Sequence, residues 1–512
     1  AAVRRIVDHY HEEAFAFAHV DSEIELSSDH SRARLLLSVV ERKQVTVERI
    51  EVRGATETSE TLIRSRLALK AGKLYRQSRV QRSQDQVQSL GVFTSVTVGL
   101  KDPGVPAKHK VVLVQVTERM PQYLDTKAGF ASADGFRLGF EYGHRNLAGN
   151  AVRLTLRSQL ALRPLFLITE KDVREKYQEL SALELLERRN TITLAFPDIG
   201  LGPLFSFEAE LLDLRSNERD YSHARDAAVL RLLFIPSRQY QVNLAGTVEL
   251  NDAKILGGDS LLDYVKDNPG VNIRVPEGRS IAYTQNLGAS WDLRDQPLAA
   301  TDGTFIGATV EHVTAVPLGE NEGKCNEDST EVFDPVCSEL LRFSGKISGY
   351  VPLNKKGLSF AVSFRAGVIQ HLTDLSRTYP DRLFFMGGVD SLRGYTQYSL
   401  VPQDLADLVL DGDEFTIDEI VLRGGDVFIN PRMELRIPVT ASVATAWFID
   451  SGNLWADRSK FNPLVLRYTT GTGLRIKTPV GPLVFDYGFN VERVIDKIVP
   501  RRSRQRTWED LG

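Results

Sequence analysis

From about residue 122 onward, the sequence runs in segments of about 10 to 15 residues in which apolar and polar side chains alternate. Two residue sets show the alternation most clearly: Val427, Ile429, Met433, Leu435 and Ile437 on one parity, and Asn430, Arg432, Glu434 and Arg436 on the other. Successive side chains of a β-strand point to opposite faces, so a period of two predicts strands with one apolar and one polar face. No other feature of the sequence restricts the fold as strongly.

The links between these predicted strands alternate in length. Short links fall near residues 146–149, 198–203, 236–239, 353–357, 439–441 and 478–481, and longer links separate them, the longest over residues 371–426. A soluble sandwich has no such alternation, whereas an outer-membrane barrel has short periplasmic turns and long external loops. The sequence therefore predicts an all-β, antiparallel transmembrane barrel over residues 120–512.

The strand count adds one detail to this prediction. Fifteen strands can be counted, the last near Leu483–Val491. Bacterial single-chain barrels have even strand numbers. We therefore expect a barrel of the 16-strand type from which the last strand is missing.

Residues 1–119 have a mixed α/β pattern with a weak internal repeat. Each copy has a helix and then an alternating strand, which ends in Val39-Val40-Glu41-Arg42 in the first copy and in Val116-Thr117-Glu118-Arg119 in the second. The second copy also has a strand and a helix ahead of these elements. The complete unit is therefore β-α-α-β-β over residues 45–119, and residues 1–44 are expected to form a partial copy.

Charge and hydropathy exclude two classes of protein. The 63 Lys and Arg residues nearly balance the 67 Asp and Glu residues. This balance offers no basic surface for a phosphate backbone, so we expect no nucleic-acid partner. No run approaches the roughly 18 to 20 apolar residues of a membrane-spanning helix, so we expect no helical membrane insertion.

The sequence contains two cysteines, Cys325 and Cys337, within a polar segment. We predict a disulfide between them, because closing a loop of about 13 residues restricts the unfolded chain by roughly 3 kcal/mol and such bonds persist in oxidising compartments. Two free surface thiols are the alternative. A metal site would need more ligands at closer spacing.

Two short motifs occur late in the sequence. The longest predicted loop contains Gly387-Gly388-Val389-Asp390-Ser391-Leu392-Arg393-Gly394-Tyr395, and a later strand contains Phe448-Ile449-Asp450-Ser451-Gly452. Because successive side chains of a strand point to opposite faces, Asp450 lies on the face opposite to Trp447 and Ile449. If those two apolar side chains face lipid, Asp450 faces the interior of the barrel.

These motifs and the upstream repeat resemble the outer-membrane protein assembly superfamily of BamA and TamA, and the β-α-α-β-β unit resembles its POTRA module. In that family, a V/L-R-G-F/Y loop tip folds into the barrel lumen, where its arginine meets the aspartate of a later strand. The resemblance implies a lumen loop lock formed by Leu392, Arg393, Gly394, Tyr395, Phe448, Asp450 and Gly452. A charge-assisted, bidentate contact between Arg393 and Asp450 could hold the loop.

The resemblance also implies a function: insertion or translocation of outer-membrane polypeptides, including β-barrel proteins and autotransporters. Periplasmic POTRA modules would capture unfolded clients by β-augmentation, which requires mainly main-chain hydrogen bonds. The barrel would open a lateral gate between its first and last strands. The residues of the first strand in this gate would be Leu124, Thr126, Ala128 and Phe130. The implied partners are unfolded clients, outer-membrane lipid and periplasm-spanning or lipoprotein accessory subunits, with no cofactor.

Other functions remain open at this point. One alternative is a two-partner secretion pore for a dedicated client, and another is a passive diffusion porin or a soluble β-rich binding protein. The sequence contains no G-x-S-x-G, P-loop, H-E-x-x-H or C-x-x-C motif, so we expect no enzyme. His9 and His11 are expected on the solvent face of a helix, and the acidic residues from Asp404 to Glu419 in a solvated loop, although these acidic residues could bind calcium. No metal site is expected.

Overall fold

The computed structural model describes residues 2–26, 31, 33–131, 135–168, 171–256, 276–297, 299–318, 336–354, 357–410, 423–478 and 481–491. The chain forms two compact units. The first contains residues 1–124, 142–156 and 193–207, and the second contains residues 125–141, 157–192 and 208–512. Among the described helices, none has the length and apolar character needed to cross a membrane.

The amino-terminal part of the first unit contains two sheets. Its elements are α1 (Ala2–Glu12), β1 (His19–Leu26), β2 (Ala33–Val40), β3 (Thr46–Arg53), α2 (Glu60–Ser65), α3 (Gln77–Gln88), β4 (Phe93–Leu100) and β5 (His109–Glu118). Strands β1 and β2 form an antiparallel pair. Strands β3, β5 and β4 form a second sheet in that order, with β3 parallel and β4 antiparallel to β5. The predicted β-α-α-β-β order is confirmed.

The core of this module follows from the residue patterns of α3 and β5. Helix α3 buries Val80, Ser83 and Val87, a spacing that puts them on one face of a helix. Strand β5 alternates, with Val112 and Val114 buried and the residues between them more exposed. The valines of α3 and β5 meet in one apolar cluster, which also contains Val47, Ile63, Leu90 and Phe93.

The remaining strands form one antiparallel sheet in which neighbours follow the chain order from β6 to β20. They are β6 (Gln122–Ala131), β7 (Gly135–Leu147), β8 (Val152–Leu162), β9 (Leu186–Phe196), β10 (Phe205–Asn217), β11 (Tyr221–Ser237), β12 (Tyr240–Ile255), β13 (Gly278–Asp292), β14 (Gly303–Pro317), β15 (Ser338–Pro352), β16 (Ser359–His371), β17 (Val427–Pro438), β18 (Val443–Trp455), β19 (Arg467–Thr478) and β20 (Gly481–Asn490). Within the described residues there are fifteen such strands, the number counted from the sequence.

One link departs from the predicted alternation. The link between β13 and β14 spans residues 293–302 and is longer than the other links at its end of the sheet. Asp295 organises it, because its carboxylate accepts hydrogen bonds from the hydroxyl of Thr301 and from the backbone amides of Gln296 and Thr301. The link is thus an ordered turn with its own polar contacts.

The faces of the strands differ as the period of two requires. On β12, Leu244, Val248 and Leu250 are exposed, whereas Glu249 and Asn251, on the opposite parity, are buried. Exposed apolar side chains on one face and buried polar ones on the other are the reverse of a soluble domain. This arrangement is expected of a sheet whose outer face contacts lipid.

The two longest described links carry their own structure. The β8–β9 link contains a 3-10 turn (Leu165–Leu167), α4 (Lys171–Gln178) and α5 (Ala182–Leu185), and it buries Ile168, Tyr177 and Leu180 against Leu256. The β16–β17 link contains a 3-10 turn (Pro380–Arg382) and α6 (Gln403–Leu410). We call the β16–β17 link, residues 372–426, the long loop. It contributes Phe384, Met386, Leu392 and Leu400 to an apolar cluster with residues of β14–β18: Val313, Leu340, Ile369, Phe428 and Leu454.

Candidate functional site

A glycine turn shapes the tip of the long loop. Gly387 and Gly388 have φ values of 110° and 87°, a backbone region that side chains other than glycine rarely adopt. A Cβ at Gly387 would lie 2.3 Å from the carbonyl oxygen of Thr396. The hydroxyl of Ser391 accepts a 2.8 Å hydrogen bond from the Gly387 amide. The turn therefore fixes the direction in which the following residues leave it.

Arg393, just beyond this turn, meets the carboxylate of Asp450 on β18. Its Nε donates to Oδ2 and its Nη2 to Oδ1, both at 2.8 Å, so the contact is bidentate. The Arg393 side chain is 4% exposed and that of Asp450 is 0% exposed. The guanidinium also lies 3.4 Å from the ring centroid of Phe448, within the range of a cation–π contact.

The third nitrogen of the same guanidinium reaches two further carboxylates. Nη1 of Arg393 donates to Glu434 on β17 at 2.8 Å and to Asp486 on β20 at 3.0 Å. One arginine of the loop thus binds strands β17, β18 and β20. Three more arginines neutralise these carboxylates: Arg432 at Asp450, Arg436 at Glu434, and Arg475 at both Glu434 and Asp486.

Glycines provide the space for this contact. A Cβ at Gly394 would lie 2.7 Å from the backbone carbon of Phe489, and one at Gly488 would lie 2.5 Å from the carbonyl oxygen of Arg393. A Cβ at Gly471 on β19 would lie 2.6 Å from the Phe448 ring. The loop tip therefore packs directly on the backbone of β20.

The other residues of the predicted lock lie around the same point. Leu392 is fully buried in the apolar cluster, and the Tyr395 hydroxyl accepts a 2.7 Å hydrogen bond from the side chain of Asn490. A Cβ at Gly452 would lie 2.6 Å from the carbonyl oxygen of Ile429. The structure thus brings together all seven residues of the predicted lock.

Sequence reasoning missed the carboxylates Glu434 and Asp486 and the arginines Arg432, Arg436 and Arg475. A signal for three of them was present, because Arg432, Glu434 and Arg436 share one parity on β17, as the alternation already showed. Which strands besides that of Asp450 would face the loop tip was not predictable, since strand parity gives a side chain's face but not its distance from a loop.

Strand β6 carries the four residues of the predicted gate. Leu124, Thr126, Ala128 and Phe130 are all exposed, Leu124 at 70%. In the sheet formed by the described residues, β6 is the first strand of the order and β20 the last. The rings of Phe130 and Phe136 on β7 lie 5.0 Å apart.

Two other predictions fall partly outside the described residues. Cys337 immediately precedes β15 but Cys325 lies outside the described residues, so the disulfide stays a prediction. Of the acidic run, Asp411, Asp413, Glu414, Asp418 and Glu419 also lie outside them. Asp404 accepts hydrogen bonds from the backbone amides of Ala456 and Asp457, at 2.9 and 2.8 Å.

Two protein families match this chain. The Omp85 superfamily domain matches residues 121–499, and the POTRA family, described as a surface antigen variable number repeat, matches residues 45–119. The chain belongs to the Omp85 superfamily. Outer membrane protein assembly factor BamA from Neorickettsia risticii is 22% identical to this Omp85 protein over 471 residues, which are 89% of the chain and 54% of the relative. The chain thus spans about half the length of the curated relatives it matches.

Two solved structures share the fold of this Omp85 protein. BamA from Haemophilus ducreyi lacking POTRA domains 1-3 superposes with a TM-score of 0.65 at 16% identity, covering 96% of this chain and 89% of the other. CdiB from Acinetobacter baumannii superposes with a TM-score of 0.50 at 12% identity, covering 96% and 77%. The fifteen-stranded sheet therefore resembles the barrel of BamA. It lies in the bacterial outer membrane, and the POTRA module lies in the periplasm.

Proposed function

We propose that this Omp85 protein assists the assembly of β-barrel proteins or autotransporters in the outer membrane. Its clients would be unfolded outer-membrane polypeptides, and its other partners would be the surrounding lipid and periplasm-spanning or lipoprotein accessory subunits. Family membership and the likeness to BamA assembly factors support this role.

The observation that carries the proposal is the buried contact between Arg393 and Asp450, which holds the long loop against the polar face of β17–β20. A passive porin needs a water-filled path along that polar face. A loop fixed there by three carboxylates and an apolar cluster obstructs such a path. A client would instead be served at strand edges, where backbone groups are available for pairing.

Edge strands of two sheets suit that mode of recognition. The POTRA sheet has the order β3-β5-β4, so β3 and β4 are its edges among the described residues. In the large sheet, β6 with its exposed Leu124, Thr126, Ala128 and Phe130 would form one side of a lateral gate. A client strand in lipid gains partners for backbone groups that would otherwise lack them, so no nucleotide is needed.

Depletion of the protein in its host, followed by quantitative mass spectrometry of the outer membrane, tests the proposal. We expect several unrelated β-barrel proteins to fall together. Loss of a single secreted protein with an unchanged outer-membrane content would instead indicate a dedicated secretion pore. Unchanged levels of all of them, together with steady ion conductance of the purified protein, would indicate a diffusion porin.

A further inference from the structure

A second group of charged side chains joins the long loop to the sheet, on strands distant from the Arg393 contact. Its loop members, Asp381 and Arg382, lie in the 3-10 turn Pro380–Arg382. Its sheet members are Arg225 on β11 and Glu249 on β12. All four belong to the second unit.

Ion pairs link the four residues in a closed ring. Arg382 donates to the carboxylate of Glu249, and its Nε lies 3.1 Å from Oδ2 of Asp381. Arg225 donates from Nη2 to Asp381 at 2.8 Å, and its Nε lies 3.2 Å from Oε2 of Glu249. Each arginine therefore contacts both carboxylates, and the two positive charges balance the two negative ones.

Because the ring of ion pairs is buried, removal of any one of its charged side chains would destabilise it. The side chains of Glu249, Asp381 and Arg382 are 1%, 5% and 13% exposed. Thr284 on β13 donates a 3.1 Å hydrogen bond to Glu249. His223 also faces the ring, 3.9 Å from Asp381, and contacts Asn251. The hydroxyls of Tyr221 and Tyr379 interact electrostatically with Asp381. Removing one partner of a buried ion pair leaves an uncompensated charge, which is strongly destabilising.

We propose that Asp381 and Arg382 form a second anchor, which holds the first arm of the long loop, residues 380–386, on β11 and β12 while Arg393 holds the tip on β17–β20. Between the two anchors, Phe384, Met386 and Leu392 pack in the apolar cluster. The segment from Arg382 to Arg393 is thus fixed at both ends and along its middle.

The second anchor fixes one side of a cavity beside the first arm. Asp381, Phe384 and Met386 form one side of a cavity of about 800 Å³, and residues of β13–β16, including Lys346 and Arg365, form the other. Releasing the second anchor would let the arm move away and widen this space, even with Arg393 still bound. Complete opening requires release at both anchors.

Conductance of the purified full chain in planar lipid bilayers tests this anchor. We expect Arg382→Glu and the isosteric Glu249→Gln to raise the frequency of large-conductance openings at least about tenfold. Arg382→Lys should raise this frequency less, because the positive charge is kept. Arg231→Glu is the matched control, since Arg231 also lies on β11 but pairs with Glu208 on β10 at 2.8 Å and not with the loop. The control should leave the openings unchanged.

A double variant distinguishes two anchors from one. If either anchor can restrain the loop while the other is released, the two substitutions reinforce each other. Arg382→Glu combined with Arg393→Glu should then open the protein more often than the product of the two single effects predicts. Openings of Glu249→Gln that equal those of the wild type, or a double variant no different from Arg393→Glu, would overturn the proposal. No client is present in this measurement, so its failure would leave the assembly role untouched, and failure of the assembly role would leave the anchor untouched.

Discussion

The hydroxyl of Thr56 donates a 2.6 Å hydrogen bond to the carboxylate of Glu118, at the end of strand β5 in the POTRA module. The backbone amides of Glu57 and Thr58 donate to the same carboxylate at 3.1 and 2.8 Å. Glu118 thereby holds the β3–α2 loop. Thr58 in turn accepts a 3.0 Å hydrogen bond from Asn146, which belongs to the same compact unit.

This relationship makes the loop sensitive to acid. Burial would raise the pKa of Glu118, but the hydrogen bonds from Thr56 and Thr58 outweigh burial and lower the pKa to about 2. A group with a depressed pKa stabilises the fold above its unfolded value of 4.5 and loses this contribution as the pH falls from there towards 2. We expect the amide protons of Glu57 and Thr58 to lose protection, relative to their intrinsic exchange rates at each pH, over that window. Hydrogen exchange by mass spectrometry on the full chain measures this.

Glu118→Gln should produce the same loss of amide protection at neutral pH, because a neutral amide accepts these hydrogen bonds less strongly. The free energy of local opening should fall by on the order of 1 kcal/mol. Glu57→Gln is the matched control, since the Glu57 side chain lies on the same loop and is exposed. Equal protection in the Glu118→Gln variant and the wild type would refute this account of the loop.

Arg393→Glu should impair function, because it places a fourth carboxylate beside Asp450, Glu434 and Asp486. Adding Asp450→Arg should restore function only in part, since the new arginine would also meet Arg432, now 3.1 Å from Asp450. Arg393→Lys should be intermediate because lysine cannot make the bidentate contact. Growth of a host that depends on the plasmid-borne variant is the measurement. Full growth with Arg393→Glu alone would exclude a functional role for the contact.

Gly394→Ala should lower the stability of the large sheet by about 1–3 kcal/mol, because the added Cβ would meet the backbone of Phe489 and overpack the site. Gly246→Ala on β12 is the control, since a Cβ there would meet nothing within 4 Å. The temperature at which the folded form is lost on semi-native gels reports the difference. Equal temperatures for the two variants would show that the tip can shift away from β20.

The disulfide prediction can be checked chemically. Without reductant, we expect neither Cys325 nor Cys337 to react with a maleimide in the denatured chain, and both to react after reduction. Mass spectrometry counts the added groups. Labelling of both cysteines before reduction would favour the alternative of free thiols.

Much of the fold was predictable because β-strands and amphipathic helices have short periods. The alternation at Val427–Ile437 predicted strand β17, and the spacing of Val80 and Val87 agrees with a helix. The order of strands followed from the link lengths, since an antiparallel meander joins neighbours. These inferences need only residues close together in the sequence.

The inner contacts were predictable only where a motif marked them. Arg393 and Asp450 were paired from the family resemblance, whereas the contact of Arg382 with Glu249 joins residues 133 positions apart that no motif marks. Its prediction would require the register of β11–β13 and the path of the loop together. The helices α4 and α5 were missed for a similar reason, because α5 has only four residues and α4 is stabilised by packing of its Tyr177 in a cluster with Ile168 and Leu256.

The glycines of β19 and β20 restrict the substitutions that these strands and the loop tip can accept. At Gly471 and Gly488 the sheet consists of main chain alone; the Phe448 ring and the backbone of β20 occupy the space beside Gly471, and the backbone of Arg393 in the loop tip occupies the space beside Gly488. The loop tip therefore lines β20 at Gly488. A side chain added at Gly488 would require the loop tip to move or to become smaller, so β20 and the loop tip can change only together.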